Sequence, residues 1–432
     1  MSAWFRGDAL WLEFPADAQT LREAGAAFLT RAFQLSGVLA ADNAVREITQ
    51  CQECAGGSTG RKLLLALRYA RPEPGLHEAL FVKFSRDFDD PIRDQGRSQM
   101  AAEVRLAQLS RAPAFPIAVP VCHFADFHQA SGSGILITQR IAFGAQGIEP
   151  QYQKCLDEQL PEPLAHYRAI LVALARLAGT QQAGLLPARV NREFAFDPAR
   201  LSVGERAPYG AAQLQRRVDR YAQFAQDGPQ LLAQNIRAPA FIARLREEVA
   251  QFAAAEGAIK KALQDDAPAI ALCHWNANID NAWFWREHGA LHCGLMDWGC
   301  VGRMHLAMAL WGALSAAPPA FWDAHEDELL ETFVDEYARS GGARLTLAAL
   351  RQPLYLYAAF MGMNWLLDAP AYLKALLPEL GALQGPQDAR LLRQEAPRTQ
   401  LRMLSTLLHL WQSRDFGAVL GAFQRGARPQ QH

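Results

Sequence analysis

The spacing of apolar residues changes near residue 141 of this 432-residue chain. Before that point, apolar and polar residues alternate in short runs, as they do in strands whose side chains point to the two faces of a sheet in turn. The runs are "AVREITQC", "KLLLALRYA", "ALFVKFS", "AVPVCHFADF" and "GILITQRI". Two helices are predicted among them, over 16–35 and 96–111. The sequence therefore predicts a small antiparallel sheet accompanied by helices.

After residue 142 the apolar spacing is mainly that of helices. The exception is 269–298, where "AIAL", "NAWFWR" and "LHCGLMDW" predict short strands, the last two joined around Gly289. A chain of this length suits two or three lobes, at a prior of about 150 residues per domain. We therefore predict an α+β fold with two lobes, residues 1–141 built on an antiparallel sheet and residues 142–432 mainly helical.

The charge balance restricts the class of partner. The chain has 43 Lys and Arg against 44 Asp and Glu, a net charge of -1. Nothing in this balance favours nucleic acid or an anionic membrane, so a small molecule is the expected partner. The N-terminal "MSAWFRGDALWLEFPAD" has no uninterrupted apolar core of a secretory signal, which predicts a cytoplasmic protein. The oligomeric state is open.

Residues 304–322, "MHLAMALWGALSAAPPAFW", contain no Asp, Glu, Lys or Arg. A helix that spans a membrane needs roughly 20 apolar residues. Ser315 and the pair Pro318 and Pro319 interrupt the run before that length. The segment is therefore predicted to be a buried core helix.

The turn "AGGSTGR" lies between two predicted strands and includes Gly57, Ser58 and Thr59. Glycines around small hydroxyl residues let backbone N–H groups approach phosphate oxygens. An ordinary hairpin turn explains the same residues equally well. The motif indicates a phosphate site only in combination with other features.

Lys83 and Glu103 are two charged residues placed among apolar neighbours. In "ALFVKFS", Leu80, Val82 and Phe84 share one face of the strand and leave Lys83 on the other. In "QMAAEVRLAQL", Glu103 falls on the apolar face of a predicted helix. A buried carboxylate needs a partner. A strand lysine that meets a glutamate of the next helix is the pair that positions ATP phosphates in kinases, although two unrelated surface charges remain an alternative.

The run "ILITQRI" follows this pair and is predicted, from its order in the chain alone, to connect the two lobes. In that position the backbone of Gln139 to Ile141 is available to the edge of an adenine. Backbone recognition leaves no mark in the side chains, so this prediction rests on order.

Asn281 and Asp297 are presented from adjacent predicted strands. Asn281 ends the loop that begins at His274, and Asp297 lies in "LMDWG". Amide and carboxylate oxygens are hard ligands that suit Mg²⁺, which keeps waters and phosphates as its other ligands. In the alternative, Asn281 is a turn residue and Asp297 ends a strand. The order of Lys83, Glu103 and these two residues along the chain favours the magnesium site.

The chain resembles the aminoglycoside phosphotransferase and choline kinase group of protein-kinase-like enzymes, and particularly its ecdysteroid-kinase-like branch, over roughly residues 20–370. The family's catalytic loop reads approximately His-Gly-Asp-x-x-x-x-Asn and its metal motif Ile-Asp-Trp or Ile-Asp-Phe. "HWNANIDN" and "LMDWG" are similar to these. The resemblance implies a bilobal protein-kinase-like fold and ATP-dependent phosphorylation of small-molecule hydroxyls. It implies ATP and Mg²⁺ as cofactors.

The same resemblance implies roles for individual residues. Lys83 and Glu103 would anchor the phosphates, Asn281 and Asp297 would bind Mg²⁺, and His274 would brace the loop. Trp275 replaces the family's glycine, and Asn276 replaces the aspartate that accepts the hydroxyl proton. Asp280 is the carboxylate within the loop that could act instead, although a turn residue is the reading that its position in the family favours.

Two hypotheses follow from Asn276. A positioned general base contributes about 10²- to 10⁴-fold to a rate, whereas phosphoryl transfer depends mainly on positioning and on metal charge. The chain is then either a phosphotransferase with an altered loop, which the intact metal ligands favour, or a pseudokinase that binds nucleotide and regulates. The substrate is not readable from the sequence. The acidic run "HEDELLETFVDEY" gives no indication of a cationic one, because Leu329, Phe333 and Tyr337 form the inward face of its helix and leave the carboxylates solvated.

Overall fold

The structure is a computed structural model that describes residues 3–54, 60–198 and 209–426. It has an α+β fold in which an antiparallel sheet with two helices precedes a larger, mainly helical part. We call these parts the N-terminal and the C-terminal lobe. The predicted fold class is confirmed, while the predicted boundary between residues 141 and 142 stays a prediction.

The N-terminal lobe is built on a five-stranded antiparallel sheet. Its elements are β1 (Trp4–Arg6), β2 (Glu13–Pro15), α1 (Ala18–Leu35), β3 (Val45–Cys54), β4 (Lys62–Tyr69), β5 (Ala79–Phe84), α2 (Arg93–Leu109), β6 (Cys122–His128) and β7 (Ser133–Gln139). The sheet order is β3-β4-β5-β7-β6, and β1 pairs with β2 separately. The run predicted as a strand from residue 118 becomes one only at Cys122, because Pro120 has no N–H to donate to a ladder.

The two faces of β5 have different surroundings. Leu80, Val82 and Phe84 are fully buried in one cluster with residues of α1. Lys83 is buried on the opposite face, where α2 packs against β6 and β7. This confirms the alternation predicted from "ALFVKFS" and explains how a cation is held at the sheet surface.

The C-terminal lobe begins after β7 and contains the largest apolar cluster. Its helices are α3 (Pro163–Gln182), α4 (Val190–Glu193), α5 (Ala211–Asp227), α6 (Gln234–Arg237), α7 (Pro239–Asp265), α8 (Leu306–Leu314), α9 (Pro319–Arg339), α10 (Leu347–Asn364), α11 (Ala369–Leu376), α12 (Ala389–Leu392), α13 (Glu395–Ser413) and α14 (Phe416–Gly426). Within the described ranges, no helix is long and apolar enough to cross a membrane.

Four short strands lie between α7 and α8. They are β8 (Ile270–His274), β9 (Ala282–Glu287), β10 (Ala290–Leu295) and β11 (Val301–His305). β9 pairs with β10 and β8 with β11, both antiparallel. His288 and Gly289 make the β9–β10 turn with φ of 50° and 81°, the paired left-handed conformation of a tight hairpin. The turn predicted at Gly289 is thus confirmed, whereas β11 was not predicted.

The apolar run 304–322 contains a buried core helix, as predicted, although the run is longer than that helix. It contains the end of β11, all of α8 and the start of α9. Every residue of α8 is buried, which is why no polar residue interrupts the run. The pair Pro318 and Pro319 ends the segment between the helices and starts α9, because proline is tolerated at the first turn of a helix.

The acidic run in α9 divides as predicted, with two exceptions. Leu329, Phe333 and Tyr337 are buried on the inward face. Glu326 and Glu336 are buried as well, although they were predicted to be solvated.

Arginines pair with both of these buried carboxylates. Glu326 accepts from Arg351 and Arg414, and Glu336 accepts from Arg176 and Arg339. These carboxylates are internal cross-links of the lobe.

The lobes meet around α2. This helix packs against the short turn Trp298–Cys300 and against β11. The backbone N–H of Leu295 donates to the carbonyl of Ala118 at 3.0 Å, which ties β10 to the segment before β6. The segment from β10 to β11 therefore lies against α2 of the N-terminal lobe.

Candidate active site

Lys83 makes two short ion pairs that join three distant parts of the chain. Its Nζ donates to Glu103 Oε2 at 2.6 Å and to Asp297 Oδ1 at 2.7 Å. β5 carries the lysine, α2 carries the glutamate, and Asp297 follows β10 in the other lobe. Lys83 and Glu103 are only 3% and 5% exposed. The structure thus brings together three of the residues that the sequence indicated.

In the triad of Lys83, Glu103 and Asp297, attraction between opposite charges opposes the effect of burial on each pKa. Burial lowers the pKa of the Lys83 ammonium, but the two carboxylates outweigh it and raise that pKa. Burial raises the pKa of Glu103, and Lys83 opposes the rise. Burial also acts to raise the pKa of Asp297, yet attraction to Lys83 leaves that pKa below its ordinary value. Because buried ion pairs contribute little net stability, their presence in a cleft favours a functional purpose.

Asp297 has a left-handed backbone, with φ 59° and ψ 61°. Aspartate tolerates this conformation better than most residues, and such positions are frequent at functional sites. The turn directs the carboxylate into the cleft, where its side chain is 38% exposed against 4% for that of Lys83. Asp297 can therefore contact a ligand while it stays bonded to the lysine.

His274 connects the loop after β8 to the segment that carries Asp297. The N–H of Asn276 donates to His274 Nδ1 at 3.2 Å, so the proton of the ring lies on Nε2, which is 3.0 Å from the carbonyl oxygen of Met296. The ring also packs on Trp298 with 4.4 Å between centroids. Burial lowers the pKa of His274 to about 4. A neutral His274 thus holds the two segments together, the arrangement expected of a brace.

The side chain of Asn276 already has two donors at its oxygen. Asn278 Nδ2 donates to Asn276 Oδ1 at 2.6 Å, and Lys154 Nζ lies 3.4 Å from the same atom. The oxygen is therefore engaged within the protein. An acceptor hydroxyl would have to compete with these two donors for the same oxygen.

Asn281 is buried and lies next to Asp297. Its side-chain Nδ2 donates to the backbone carbonyl oxygen of Asn276 at 2.8 Å. Its backbone carbonyl oxygen accepts from the N–H of Met296 at 2.9 Å. Because the amide nitrogen is used within the loop, the amide oxygen is the atom left for a cation. Asn281 and Asp297 both line the cleft, and their role as metal ligands stays a prediction.

Asp280 lies in the short turn Ile279–Asn281, which agrees with its reading as a turn residue. It also lines the cleft. Its Oδ1 is buried and has no hydrogen-bond partner among the described residues. Burial raises the pKa of this carboxyl, and Lys154 opposes the rise. An unpartnered buried acceptor in a cleft is a group that a ligand can satisfy.

The cleft between the lobes encloses about 940 Å³, within the usual range for ligand pockets. Its apolar lining includes Leu64, Ala79, Phe81, Val119, Leu136 and Ile141. Its charged and amide lining includes Lys62, Lys83, Glu103, Lys154, Asp280, Asn281, Asp297 and Glu395. An apolar wall beside a cluster of charges suits a nucleotide, which has a flat base at one end and phosphates at the other.

Gln139 and Ile141 line this cleft at the end of β7. The N–H groups of Gln139 and Arg140 already donate to the carbonyls of Val121 and Ala79. In the part of the chain that the structure describes, the N–H of Ile141 has no such partner. Of the backbone donors predicted to meet an adenine edge, Ile141 is thus the available one.

Gly57, Ser58 and Thr59, the predicted phosphate-contacting residues, lie outside the described residues. The loop ends at Gly60, whose φ is 101°. A Cβ at this position would lie 2.1 Å from the carbonyl oxygen of Phe84, so only glycine fits. This close approach brings the end of the loop beside β5 and Lys83.

Lys62, Lys154 and Glu395 line the cleft but were missed by sequence reasoning. Lys62 is the register partner of Lys83. The alternation in "KLLLALRY" could have placed it on the cleft face. Lys154 and Glu395 come from a loop and from the start of α13, and no periodicity or motif marks either of them.

Trp275, at the position of the family's glycine, points away from the cleft. Its Nε1 donates to the hydroxyl of Tyr357 at 2.9 Å. A Cβ on Gly312 of α8 would lie 1.6 Å from the carbonyl oxygen of Trp275. The fold therefore makes room for this part of the loop with a helix glycine, and the indole leaves the cleft open.

No family model matches the chain, and no curated protein matches it. Among solved structures it is similar to spectinomycin phosphotransferase APH(9)-Ia, solved with ADP and spectinomycin, at 13% identity over 88% of this chain and 94% of that chain, with a TM-score of 0.40. It is also similar to a choline kinase from Cryptosporidium parvum Iowa II, at 12% identity over 87% and 92%, with a TM-score of 0.43.

A microcompartment-associated aminopropanol kinase is a third similar structure, at 12% identity over 85% of this chain and 94% of that chain, with a TM-score of 0.39. These proteins belong to the kind that the sequence motifs resemble, and the ecdysteroid-kinase-like branch stays a prediction. Because the identities and TM-scores are low, we base the function on the chain's own residues.

Proposed function

We propose that the chain is an ATP-dependent phosphotransferase that acts on a hydroxyl group of a small molecule. The observation that supports this best is the bonding of Lys83 to both Glu103 and Asp297, beside Asn281. Kinases combine a strand lysine, a helix glutamate and an Asp–Asn metal site to orient the phosphates of ATP. Here the same four residue types meet at one wall of a cleft of nucleotide size.

The residues fit Mg²⁺ by the chemistry of their donor atoms. Asp297 is held ionised by Lys83, and Asn281 has its amide nitrogen engaged, which leaves its oxygen. Two protein oxygens that leave the remaining positions to waters and phosphates are a usual set for this ion. When bound, Mg²⁺ would neutralise phosphate charge. Asn281 and Asp297 are the residues that would hold it.

The other residues have separable tasks in this proposal. Lys83 binds phosphate oxygens and is kept in place by Glu103. The N–H of Ile141 meets the adenine edge. His274, neutral and bonded to Met296, keeps the loop and the Asp297 segment in register.

Asp280 is the proposed acceptor of the hydroxyl proton. The residue lines the cleft, and its buried Oδ1 has no hydrogen-bond partner among the described residues, whereas the oxygen of Asn276 is engaged by Asn278 and Lys154. In a loose transition state, little proton transfer to the base is needed before the new bond has formed. A carboxylate four residues from the family's position can therefore serve.

The test is product formation from a panel of hydroxylated metabolites with Mg²⁺ and labelled ATP. We expect one class of acceptor to be phosphorylated by the wild type and Asp280→Asn to lower kcat by about 10²- to 10⁴-fold, the value of a general base. The matched control is Asp265→Asn, because Asp265 lies exposed at the end of α7. Binding of Mg·ATP with no product from any acceptor would support the alternative, a nucleotide-binding pseudokinase that regulates, for which Asn276 is the favouring observation.

A further inference from the structure

Lys154 reaches the catalytic loop from outside it. Its Nζ lies 3.4 Å from Asn276 Oδ1, and the side chain lines the same cleft as Asp280 and Asp297. The residue belongs to the connection between β7 and α3, more than a hundred positions before the loop. The cleft therefore contains a lysine at the very position where the loop has exchanged a carboxylate for an amide.

The backbone around Lys154 is fixed by the far end of the chain. Arg398 of α13 donates from Nε to the carbonyl of Lys154 at 3.0 Å and contacts the Gln153 side chain at 3.4 Å. Arg398 is 4% exposed, and among the described residues its partners are oxygens of uncharged groups. Burying a guanidinium without a carboxylate is costly. This costly arrangement occurs at the segment that carries Lys154, whose backbone Arg398 holds in place.

The residue after Lys154 has an unusual backbone. Cys155 is fully buried and has a φ of 60°. A non-glycine residue in the left-handed region costs energy and persists where the surroundings impose it, most often at functional sites. The strain at Cys155 and the contacts of Arg398 together hold Lys154 toward the cleft.

The charge state of residue 276 decides what Lys154 can do. An aspartate there would pair with the ammonium at 3.4 Å and neutralise it, and would itself become a weaker base. The amide of Asn276 accepts from the ammonium without neutralising its charge. The exchange of aspartate for asparagine and the presence of Lys154 are thus chemically complementary.

We propose that Lys154 is a catalytic residue that stabilises the negative charge of the phosphoryl group during its transfer, an inference that rests on the proposed phosphotransferase function. In that step the acceptor oxygen forms a bond to the γ-phosphorus. The bond from the γ-phosphorus to the oxygen that bridges to the β-phosphate breaks, and its electron pair leaves with ADP. The proton of the acceptor passes to Asp280. Charge gathers on the equatorial oxygens of the phosphoryl group, where the ammonium of Lys154 attracts it.

The first test uses water as the acceptor, because it needs no knowledge of the natural substrate. ATP hydrolysis is measured as ADP release with Mg²⁺, and calorimetry measures the binding of Mg·ADP alone and with aluminium fluoride, which imitates the transferred phosphoryl group. Lys154→Met is expected to lower kcat by about 10²- to 10³-fold, the value of one preorganised donor in a transition state. It should weaken the binding of Mg·ADP with aluminium fluoride and leave that of Mg·ADP unchanged, and Lys154→Arg should restore part of the loss.

Lys261→Met is the matched control, because Lys261 is exposed on α7 and pairs with Asp265 at 2.7 Å. It should behave like the wild type in all three measurements. Wild-type hydrolysis and wild-type fluoride binding in Lys154→Met would overturn the role of Lys154 and leave the proposed function standing. A wild type that binds no nucleotide would overturn both.

A double-mutant cycle with Asn276→Asp separates this role from a simple structural one. The new carboxylate should pair with Lys154, so Asn276→Asp should not raise ATP turnover while the lysine is present. In that background Lys154→Met should cost less than in the wild type, because the ammonium is already neutralised, and residues in contact are not additive. Equal costs in both backgrounds, or a large gain from Asn276→Asp alone, would contradict the inference.

Discussion

His274 is a buried base whose neutral form the site requires. Both ring nitrogens are engaged, one with the N–H of Asn276 and one with the carbonyl of Met296. A proton on Nδ1 would remove the bond that Asn276 donates. The loop that carries Asn281 would then lose one of the bonds that hold it to His274 and, through that ring, to the Asp297 segment.

The pH dependence of this residue can be predicted with its sign. Burial lowers the pKa of His274 from 6.5 to about 4, so between these values the unfolded chain binds more protons than the folded one. Stability is then full above pH 6.5 and falls as the pH drops toward 4, by up to about 3 kcal/mol for this one group. His274→Gln should flatten the dependence of the unfolding free energy on pH in this window.

The control is His288→Asn, an exposed histidine on the β9–β10 turn, since asparagine tolerates its left-handed backbone. Urea unfolding at several pH values between 4 and 7 measures all three proteins. An unchanged slope in His274→Gln would mean that the residue is not the buried neutral brace described above.

Asn276 shows why a motif comparison alone misjudges a site. The amide at the family's base position suggests a loss, yet its oxygen is bonded to Asn278 and lies 3.4 Å from the ammonium of Lys154. Asp280, whose Oδ1 has no hydrogen-bond partner among the described residues, lines the same cleft. The altered loop is therefore one part of a different arrangement of charges.

At the scale of elements, α8 supports the loop that follows β8, which is the proposed catalytic loop. Gly312 faces the carbonyl of Trp275, and a Cβ there would lie 1.6 Å from that oxygen. The nearest atoms to that Cβ are the carbonyl oxygen and carbon of Trp275, which are backbone atoms and cannot move aside as a flexible side chain can. The position of the loop thus depends on the absence of a side chain on a fully buried helix.

Gly312→Ala is expected to destabilise the protein by about 1–3 kcal/mol, the usual cost of overpacking, and to lower ATP turnover by displacing the loop. Gly257→Ala is a matched control on α7, since a Cβ there meets nothing within 4 Å. That change should be neutral or stabilise by up to about 1 kcal/mol, because alanine favours a helix over glycine. Denaturant unfolding and ATP hydrolysis measure both variants, and equal behaviour of the two would refute the contact.

Sequence patterns predicted the elements where one periodicity dominates. The alternation in "ALFVKFS" and the helical face around Glu103 placed Lys83 and Glu103 correctly, because burial imposes those periods on the residues. The bounds of the helix within 304–322 were not predictable, since α8 is buried on all sides and shows no period that separates it from β11. Lys154 was missed because tertiary contacts from Arg398, 244 positions away in the chain, determine its place.

At the scale of the whole molecule, the cleft is assembled from parts of the chain that fold into different elements. Lys83 and Glu103 come from the N-terminal lobe, and Asn281 and Asp297 from the turns before β9 and after β10 in the C-terminal lobe. Lys154 and its support Arg398 come from the connection and from α13. A ligand that contacts them all binds only the folded chain, so Mg·ATP at 100 times its Kd should stabilise the protein by about 2.7 kcal/mol.

The binding of Mg·ATP to the wild type and to Asp297→Ala, measured by calorimetry with and without Mg²⁺, tests the central claim most directly. The account predicts that the wild type binds Mg·ATP and that Asp297→Ala weakens this binding in a metal-dependent way, whereas Asp265→Asn, as the exposed control, leaves it unchanged. A wild type that ignores ATP, GTP and their Mg²⁺ complexes at millimolar concentration would contradict the account, as would an Asp297→Ala variant that binds Mg·ATP like the wild type.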